Sequence, residues 1–341
     1  MRILVPVDGS PHSDKAVETL AAASNWLNPD LIMLLNVVQP LESFMPFKVD
    51  DSMITREQEI IAKRSKWLME RANFLAGAFG ASPLVVDYRV KFGHPKEVIV
   101  NMAARRKYDL IFLGSHGRSG VERLLLGSVS QAVLELAPSA VLIAKTDQGQ
   151  GESPLSRFQR VLVPYDGSVY SRDTINWLCQ QNFGPQTKFH LVMAVTDFEK
   201  IEKLDLTEEQ EMVVRSQWTM IKQRAFDILE DVALSLGKLV GNENVSIDAI
   251  PGDPREIIYQ EMEEFGADLI ALGSHGRTGL EKMMLGSISL HIAQHAAIPV
   301  LVVRRMTNVE LPFDDELVDD EPYSDEEIRS GREDRPPFTM F

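Results

Sequence analysis

Cysteine, long apolar runs and excess positive charge are all missing from this sequence of 341 residues. Its single cysteine, Cys179, cannot form an intramolecular disulfide and argues against a zinc cluster. The longest apolar stretch, from Leu31 to Val38, is interrupted by Asn36 and is far shorter than the ~20 residues of a membrane-spanning helix. The apolar run at the N-terminus is too short for a signal peptide. We therefore expect a cytoplasmic protein that does not insert into a membrane.

The net charge of −15 argues against sequence-independent binding of nucleic acid, which requires an excess of lysine and arginine. Much of this charge lies at the C-terminus, where residues 308–341 hold twelve acidic residues and three arginines, a net charge of −9. The rest of the chain carries only −6. The acidic segment is also rich in proline and poor in apolar residues, so we predict that residues 306–341 form a largely disordered tail.

What the sequence has in abundance is internal repetition. The segment Leu113–Ser130 returns as Leu272–Ser289 with 12 of 18 positions identical, at an offset of 159 residues. This near-constant offset indicates a tandem duplication. We place the first domain at residues 1–146, a linker at 147–156 and the second domain at 157–305.

In each half, short apolar runs alternate with segments of helical periodicity, in the order β-α-β-α-β-α-β-α-β. This alternation predicts parallel, doubly wound sheets with right-handed crossovers. We therefore predict an α/β protein with two tandem five-stranded parallel sheets, each with the strand order 3-2-1-4-5. In such a sheet the ligand lies outside the carboxyl ends of the strands, between the first and fourth strands.

The repeated segment joins an apolar strand to a helix through a glycine-rich loop. Its first copy has Gly114, Gly117 and Gly127, and the second copy keeps the same spacing. Backbone N–H groups without a nearby Cβ can approach phosphate oxygens, and the helix N-terminus adds partial positive charge. The doubled pattern favours two nucleotide sites, although glycines that only need positive φ would give the same spacing in a single copy.

Charged residues around the predicted crevice each have more than one interpretation. Asp8 and Asp166 end the first strand of their halves, where a carboxylate can accept hydrogen bonds from ribose hydroxyls, hold Mg²⁺ through water, or only cap the next helix. Arg118 and Arg277 either neutralise phosphates or are solvated loop charges. These alternatives stay open at the level of sequence.

The sequence Val-Pro-Val-Asp-Gly-Ser at residues 5–10, its second copy at residues 163–168, and the G-x₂-G-x₉-G-S loops resemble the universal stress protein family, in its ATP-binding form. The resemblance covers roughly residues 1–146 and 157–305. It implies a Rossmann-like fold similar to that of the adenine nucleotide alpha hydrolases, with ATP and Mg²⁺ as ligands. The nucleotide-binding positions that it implies, together with the two arginines above, are Asp8, Val37, Leu113, Gly114, Gly117, Arg118, Gly127, Ser128 and Val129 in the first half, and Asp166, Val195, Leu272, Gly273, Gly276, Arg277, Gly286, Ser287 and Ile288 in the second.

The same resemblance implies that the two halves pair through their closing strands, near residues 141–144 and 300–303, as an internal pseudo-dimer, and that whole chains can dimerise. We interpret the protein as an ATP-dependent stress-response regulator with slow or no hydrolysis, acting on a protein partner that the sequence does not identify. The alternatives are a nucleotide-dependent enzyme of the same superfamily, for adenylyl transfer or ATP hydrolysis, and an interaction module with vestigial pockets. His116 and His275 have no evident catalytic partner in the sequence, so no catalytic residue is assigned.

Overall fold

The computed structural model describes residues 1–39, 51–80, 84–115, 126–145, 158–196, 207–276 and 285–304; of residues 51–57 it describes the backbone only. Ten strands lie within these residues: β1 Arg2–Pro6, β2 Leu31–Val38, β3 Val85–Phe92, β4 Leu110–Gly114, β5 Ala140–Ala144, β6 Arg160–Pro164, β7 Lys188–Val195, β8 Val245–Pro251, β9 Leu269–Gly273 and β10 Val300–Val303. The α-helices within them are α1 Pro11–Ala22, α2 Asp51–Phe79, α3 Pro95–Arg105, α4 Ser128–Leu136, α5 Val169–Cys179, α6 Glu208–Val240, α7 Pro254–Phe265 and α8 Ser287–His295.

The strands form one continuous ten-stranded sheet, in the order β3-β2-β1-β4-β5-β10-β9-β6-β7-β8. Within each half the pairing is parallel and follows the predicted order 3-2-1-4-5. The two predicted five-stranded sheets form one sheet in the structure, because the two closing strands pair with each other. An apolar edge strand exposes unpaired N–H and C=O groups, and pairing with the equivalent edge of the other half satisfies them.

The join between the halves is a short antiparallel ladder between β5 and β10, in which Leu142 and Leu301 are opposite each other. Both strands are fully buried along their length. A pair of short buried strands related by an approximate two-fold axis is the geometry of an internal dimer. The two halves therefore pair through the edges that the sequence analysis predicted.

Two layers of helices cover the sheet. The helices α1, α2, α5 and α6 contribute to the core on one face, and α3, α4, α7 and α8 contribute to the core on the other. This arrangement explains why β1, β4, β5 and β9 are apolar at successive positions, since parallel strands covered on both faces have no solvent-facing side.

An aromatic cluster packs across the join between the halves, on the face of the sheet that α1, α2, α5 and α6 cover. Trp26, which is fully buried, stacks on Phe183 of the other half with ring centroids 4.8 Å apart and 9° between the planes. Phe158 and Trp177 meet the same indole edge to face, at 5.9 Å and 6.0 Å. The backbone N–H of Asn182 donates to the carbonyl oxygen of Trp26 at 2.9 Å. The halves are thus joined by side-chain packing as well as by the strand ladder.

Candidate functional site

A crevice of ≈ 480 Å³ lies at the carboxyl ends of β1, β2 and β4 in the first half. This is the point at which the winding of an open parallel sheet reverses, and where such sheets bind ligands. The lining includes seven of the predicted positions: Asp8, Val37, Leu113, Gly114, Gly127, Ser128 and Val129. The remaining first-half positions, Gly117 and Arg118, lie outside the described residues, as does His116. The structure thus brings together every predicted first-half position that it describes.

The helices that begin near the crevice differ in their N-terminal caps. Ser10 and Ser168 cap α1 and α5 through their side chains, each with an O–N distance of 3.2 Å. By contrast α4 and α8 begin after Gly127 and Gly286 and have no side-chain cap. The first N–H groups of a helix have no acceptor within the helix. Each uncapped helix therefore presents N–H donors and the positive end of its dipole to an anion.

The glycine that precedes each of these helices does not itself donate toward a ligand. The N–H of Gly127 donates to the carbonyl oxygen of Ser115 at 2.9 Å, and that of Gly286 donates to Ser274 at 2.8 Å. Both glycines have a φ of −60°, which any L-residue adopts, so positive φ is not the reason for glycine here. What glycine contributes at this position is the missing Cβ, which leaves the N–H groups of the next helical turn accessible.

A serine in the first turn ties each uncapped helix to the end of the neighbouring strand. The hydroxyl of Ser130 donates to the carbonyl oxygen of Gly114 at 2.9 Å, and that of Ser289 donates to Gly273 at 2.6 Å. Both serines are buried. These bonds fix the helix N-termini over the carboxyl ends of β4 and β9 before any ligand arrives.

Gly114 and Gly273 have a packing role that the sequence did not reveal. A Cβ on Gly114 would lie 2.5 Å from the carbonyl oxygen of His12 in α1, and one on Gly273 would lie 2.7 Å from the carbonyl carbon of Tyr170 in α5. Helix backbone cannot move away from such a contact at small cost. The close approach of helix to strand therefore accounts for these two glycines without a ligand.

The carboxylates of Asp8 and Asp166 brace the turn after the first strand of each half. Each accepts the backbone N–H of the serine two residues later, Ser10 at 2.9 Å and Ser168 at 3.0 Å. The caps of the following helices are these serines and not the aspartates. Asp8 lines the crevice and remains partly exposed, so its carboxylate is within reach of a bound molecule.

Two polar residues that the sequence analysis did not identify also line the crevice. Asn36, 2% exposed, donates from Nδ2 to the carbonyl oxygen of Val7 at 2.6 Å, and its Oδ1 is buried with no partner among the described residues. Arg64 of α2 reaches the carbonyl oxygen of Asp8 at 3.5 Å. Asn36 had a signal in the sequence, because it interrupts an apolar strand. Arg64 had none, since it lies in a long helix distant in sequence.

The second half repeats the backbone of the crevice with different side chains. The bond from Gly93 N–H to Val38 in the first half corresponds to that from Gly252 N–H to Val195 in the second. This register makes Ala194, and not Val195, the counterpart of Val37. The sequence analysis had placed Val195 at this position.

By the same register, Met193 takes the place of Asn36. Tyr165 stands where the first half has Val7: the backbone N–H of Val7 donates to Leu35 in β2, and that of Tyr165 donates to Val192 in β7. Burial raises the pKa of the Tyr165 hydroxyl. The second half therefore has a thioether where the first crevice has the Asn36 amide, and a phenol ring where the first half has Val7.

The predicted second-half positions Asp166, Leu272, Gly273, Gly276, Gly286, Ser287 and Ile288 surround the carboxyl ends of β6 and β9, and Arg277 lies outside the described residues. A Cβ on Gly276 would lie 2.9 Å from the Asp166 carboxylate, so the glycine loop passes directly over that side chain. The ring of His275 lies 4.9 Å from that of Tyr170, and its Nδ1 is 3.2 Å from the Ser274 hydroxyl.

A second polar cluster lies away from both crevices, near the amino end of β7. His190 contacts the Ser246 hydroxyl through Nδ1 at 2.8 Å and the Glu261 carboxylate through Nε2 at 2.9 Å. His190 and Glu261 are buried, and the imidazole packs against Phe265. Both ring nitrogens are thus partnered, as buried polar groups require, and the cluster stabilises the second half.

Among the described residues, no helix has the length and apolarity to cross a membrane. Within the same part of the chain, no group of three or more His, Cys, Asp or Glu side chains is arranged to hold a metal ion.

Comparison with known proteins gives one family. Residues 1–145 and 157–304 both match the model described as the universal stress protein family. The chain is 27% identical over 308 residues to a universal stress protein of Mycobacterium tuberculosis, which covers 89% of this chain and 97% of the relative. The crystal structure of a universal stress protein from Archaeoglobus fulgidus is 24% identical, with a TM-score of 0.57, over 89% of this chain and 98% of that one. A crystal structure of a universal stress protein in complex with cAMP is 25% identical over 43% of this chain and 98% of that one, with a TM-score of 0.31.

Proposed function

The chain belongs to the universal stress protein family, and we propose that it binds ATP in both crevices and acts as a nucleotide-dependent regulator of a stress response. The single observation that carries the proposal is the pair of uncapped helix N-termini, α4 and α8, held over strand ends by Ser130 and Ser289. An uncapped helix start at the switch point of a parallel sheet is suited to a phosphate chain.

In the first crevice, the ligand would extend from β2 to α4. The apolar side chains of Val37 and Leu113 would receive the base, Asp8 the ribose hydroxyls, and the N–H groups of Ser128 to Ser130 the phosphates. The buried Oδ1 of Asn36 is an acceptor that lacks a donor, which an exocyclic amino group would supply. This favours adenine over guanine, whose carbonyl oxygen at the same place is an acceptor.

The two crevices differ enough that we propose unequal affinities. The first has Asn36 and Arg64 in its lining, whereas Met193 takes the place of Asn36 in the second. Each hydrogen bond to a charged or otherwise unpaired group is worth about 1.5–3 kcal/mol. We therefore expect the first crevice to be the tighter site by about tenfold or more.

A divalent cation would arrive with the phosphates. The described residues offer no ready-made cluster of metal ligands, whereas Mg²⁺ commonly keeps several waters and uses phosphate oxygens with one carboxylate. In each half the carboxylate nearest to the proposed ribose is Asp8 or Asp166. Mg²⁺ supplies charge neutralisation of the phosphates when it is bound.

The direct test is calorimetric titration of nucleotide-free protein with ATP and Mg²⁺. We expect two equivalents per chain in two phases, with the tight phase weakened about tenfold by Asn36→Leu and the weak phase unchanged. Saturation at a hundredfold excess over the dissociation constant should stabilise the native state by about 2.7 kcal/mol. The absence of both heat and a shift in melting temperature would exclude a nucleotide-binding role.

Turnover separates a regulator from an enzyme. The His275 ring contacts the Tyr170 ring and the Ser274 hydroxyl, and Ser274 is only 2% exposed, which keeps that hydroxyl away from a bound substrate. We expect hydrolysis on the order of events per hour, unchanged in the double variant His116→Ala, His275→Ala. Turnover near the common enzymatic rate of ~1 s⁻¹, lost in that variant while ATP still binds, would show that the protein is a catalyst.

A further inference from the structure

Two basic side chains cross from one half of the molecule to the other at the join. Lys145, the residue after β5, donates from Nζ to the carbonyl oxygens of Ala293 and Gln294, at 2.6 Å and 3.2 Å. These carbonyls belong to the last turn of α8, in the second half. Lys145 therefore caps the C-terminus of a helix that is 148 residues away in sequence.

The reciprocal contact is made by Arg304, the residue after β10. Its Nη2 donates to the carbonyl oxygens of Leu134 and Glu135, at 2.8 Å and 2.6 Å, in the last turn of α4. Lys145 and Arg304 occupy equivalent places in the two halves, and so do the carbonyl pairs that they contact. The same two-carbonyl contact thus occurs twice, related by the approximate two-fold axis.

The helices that receive these cations are the same two that begin at the phosphate-binding ends of the crevices. Each has nine residues, a length of about 14 Å at 1.5 Å per residue. Neither ends in a left-handed glycine cap, and α4 has no basic residue in its own last turn. The charge that complements the negative end of the α4 dipole therefore comes from the opposite half.

Given the proposed function, we infer that Lys145 and Arg304 are positioning residues that act across the join, each supporting nucleotide binding in the half to which it does not belong. Each fixes the C-terminus of a phosphate-binding helix and adds positive charge to its axis, so the helix N-terminus stays in place and attracts an anion more strongly. The two sites are linked through the join, and a separated half would bind nucleotide more weakly than the whole chain.

Each substitution is expected to weaken nucleotide binding in the half to which the residue does not belong. An effect confined to the substituted half would not produce this crossed pattern. Gly286→Val leaves only the first site, and Gly127→Val leaves only the second, so each background isolates one dissociation constant. We expect Lys145→Met to weaken ATP binding at the second site about fivefold and to change the first less than twofold. Arg304→Met should do the reverse. Lys145→Arg, which keeps the charge and the donors, should restore binding.

A pH profile provides a test that needs no truncated side chain. Burial lowers the pKa of Lys145 to about 8, whereas burial lowers that of Arg304 only to about 10. Between pH 7 and 9 Lys145 therefore loses its charge while Arg304 keeps its own. Affinity at the second site should fall severalfold as the pH rises through about 8, and affinity at the first site should stay constant.

Other titratable or charged side chains on the elements packed at these contacts could also change the affinity between pH 7 and 9. Burial and the nearby His295 lower the pKa of His291, so that residue is neutral throughout. The groups to be held fixed in the comparison are His291 and His295 on α8, Glu135 on α4, and Asp253 and Arg255 on α7. Lys145→Arg leaves all of these groups unchanged. If affinity at the second site no longer depends on pH in this variant, the pH dependence of the wild-type protein comes from Lys145.

The outcomes are distinguishable. Crossed effects, with the pH dependence abolished by Lys145→Arg, support the inference. Equal weakening of both sites by Lys145→Met, or weakening of the first site alone, overturns it and indicates a general loss of stability or a local role. If wild-type protein binds no nucleotide, the proposed function fails and this inference fails with it. If Lys145→Met does not fold, Lys145→Gln removes the charge at similar length, and unchanged affinity of its second site overturns the inference.

Discussion

Gly127→Val is expected to abolish ATP binding at the first crevice while the protein keeps its fold. The glycine precedes α4 with a φ of −60° and ψ of 152°, a conformation that valine adopts readily. A branched side chain at this point would stand between the phosphates and the N–H groups of Ser128 to Ser130. The loss of two or three charge-assisted hydrogen bonds corresponds to several kcal/mol, or roughly a hundredfold or more in affinity.

Gly286→Val is the equivalent change in the second half. A Cβ on Gly286 would lie 3.2 Å from both the Cα of His275 and the carbonyl oxygen of Ser274, so the loop must shift by a few tenths of an ångström. Gly286→Val should therefore lower the melting temperature slightly as well as remove binding at the second site.

The matched control is Gly184→Val. This glycine has open space around its Cβ position and lies far from both crevices. Calorimetry and circular dichroism on the three variants provide the measurement. If Gly127→Val binds ATP like wild type, the phosphates do not use the start of α4 and the proposed site is wrong.

Trp26→Ala is expected to destabilise the whole chain by about 3–5 kcal/mol, the usual result of deleting a large buried aromatic side chain. The indole is fully buried and packs against Phe183, Phe158 and Trp177, all of which belong to the other half. The cavity would therefore open at the join between the halves. Urea unfolding followed by far-UV circular dichroism measures the effect.

Two matched variants define what the change removes. The indole N–H of Trp26 is buried without an acceptor among the described residues, so Trp26→Phe keeps the stacking and should cost far less than Trp26→Ala. Trp218 is partly exposed on α6, where its N–H bonds to the carbonyl oxygen of Thr196, and Trp218→Ala should cost about 1 kcal/mol. A loss under 1 kcal/mol in Trp26→Ala would show that the aromatic cluster contributes little to joining the halves.

Much of the fold could be predicted from the sequence because its signals are local. Apolar runs mark strands buried on both faces, and Ser10-Pro11 marks the start of α1, as the structure shows. The duplication then predicted the same strand order twice, 3-2-1-4-5. The edge pairing followed from the resemblance to a family, but its consequence, one continuous sheet, did not.

The candidate site was predicted in part, and for reasons that the structure partly revises. Gly114 was predicted as a nucleotide-binding position, whereas the closeness of His12 in α1 already requires a glycine there. Gly127 was predicted as one too, whereas its own N–H is bonded to Ser115. A pattern of residue types shows that small residues are needed, but not which atom comes close to them.

The sequence by itself determined the element order, the duplication and the loops that meet at the carboxyl ends of the strands, because periodicity and glycine spacing are properties of neighbouring residues. Only the tertiary structure decided which distant groups meet. Arg64 reaches the crevice from α2, and Asn36 is left with an unpaired oxygen there. Lys145 and Arg304 end their strands as ordinary basic residues in the sequence, and each caps a helix of the other half in the folded chain. The physical reason is that such contacts depend on how two layers of helices pack on one sheet, and no local pattern encodes a distance between residues some 150 positions apart.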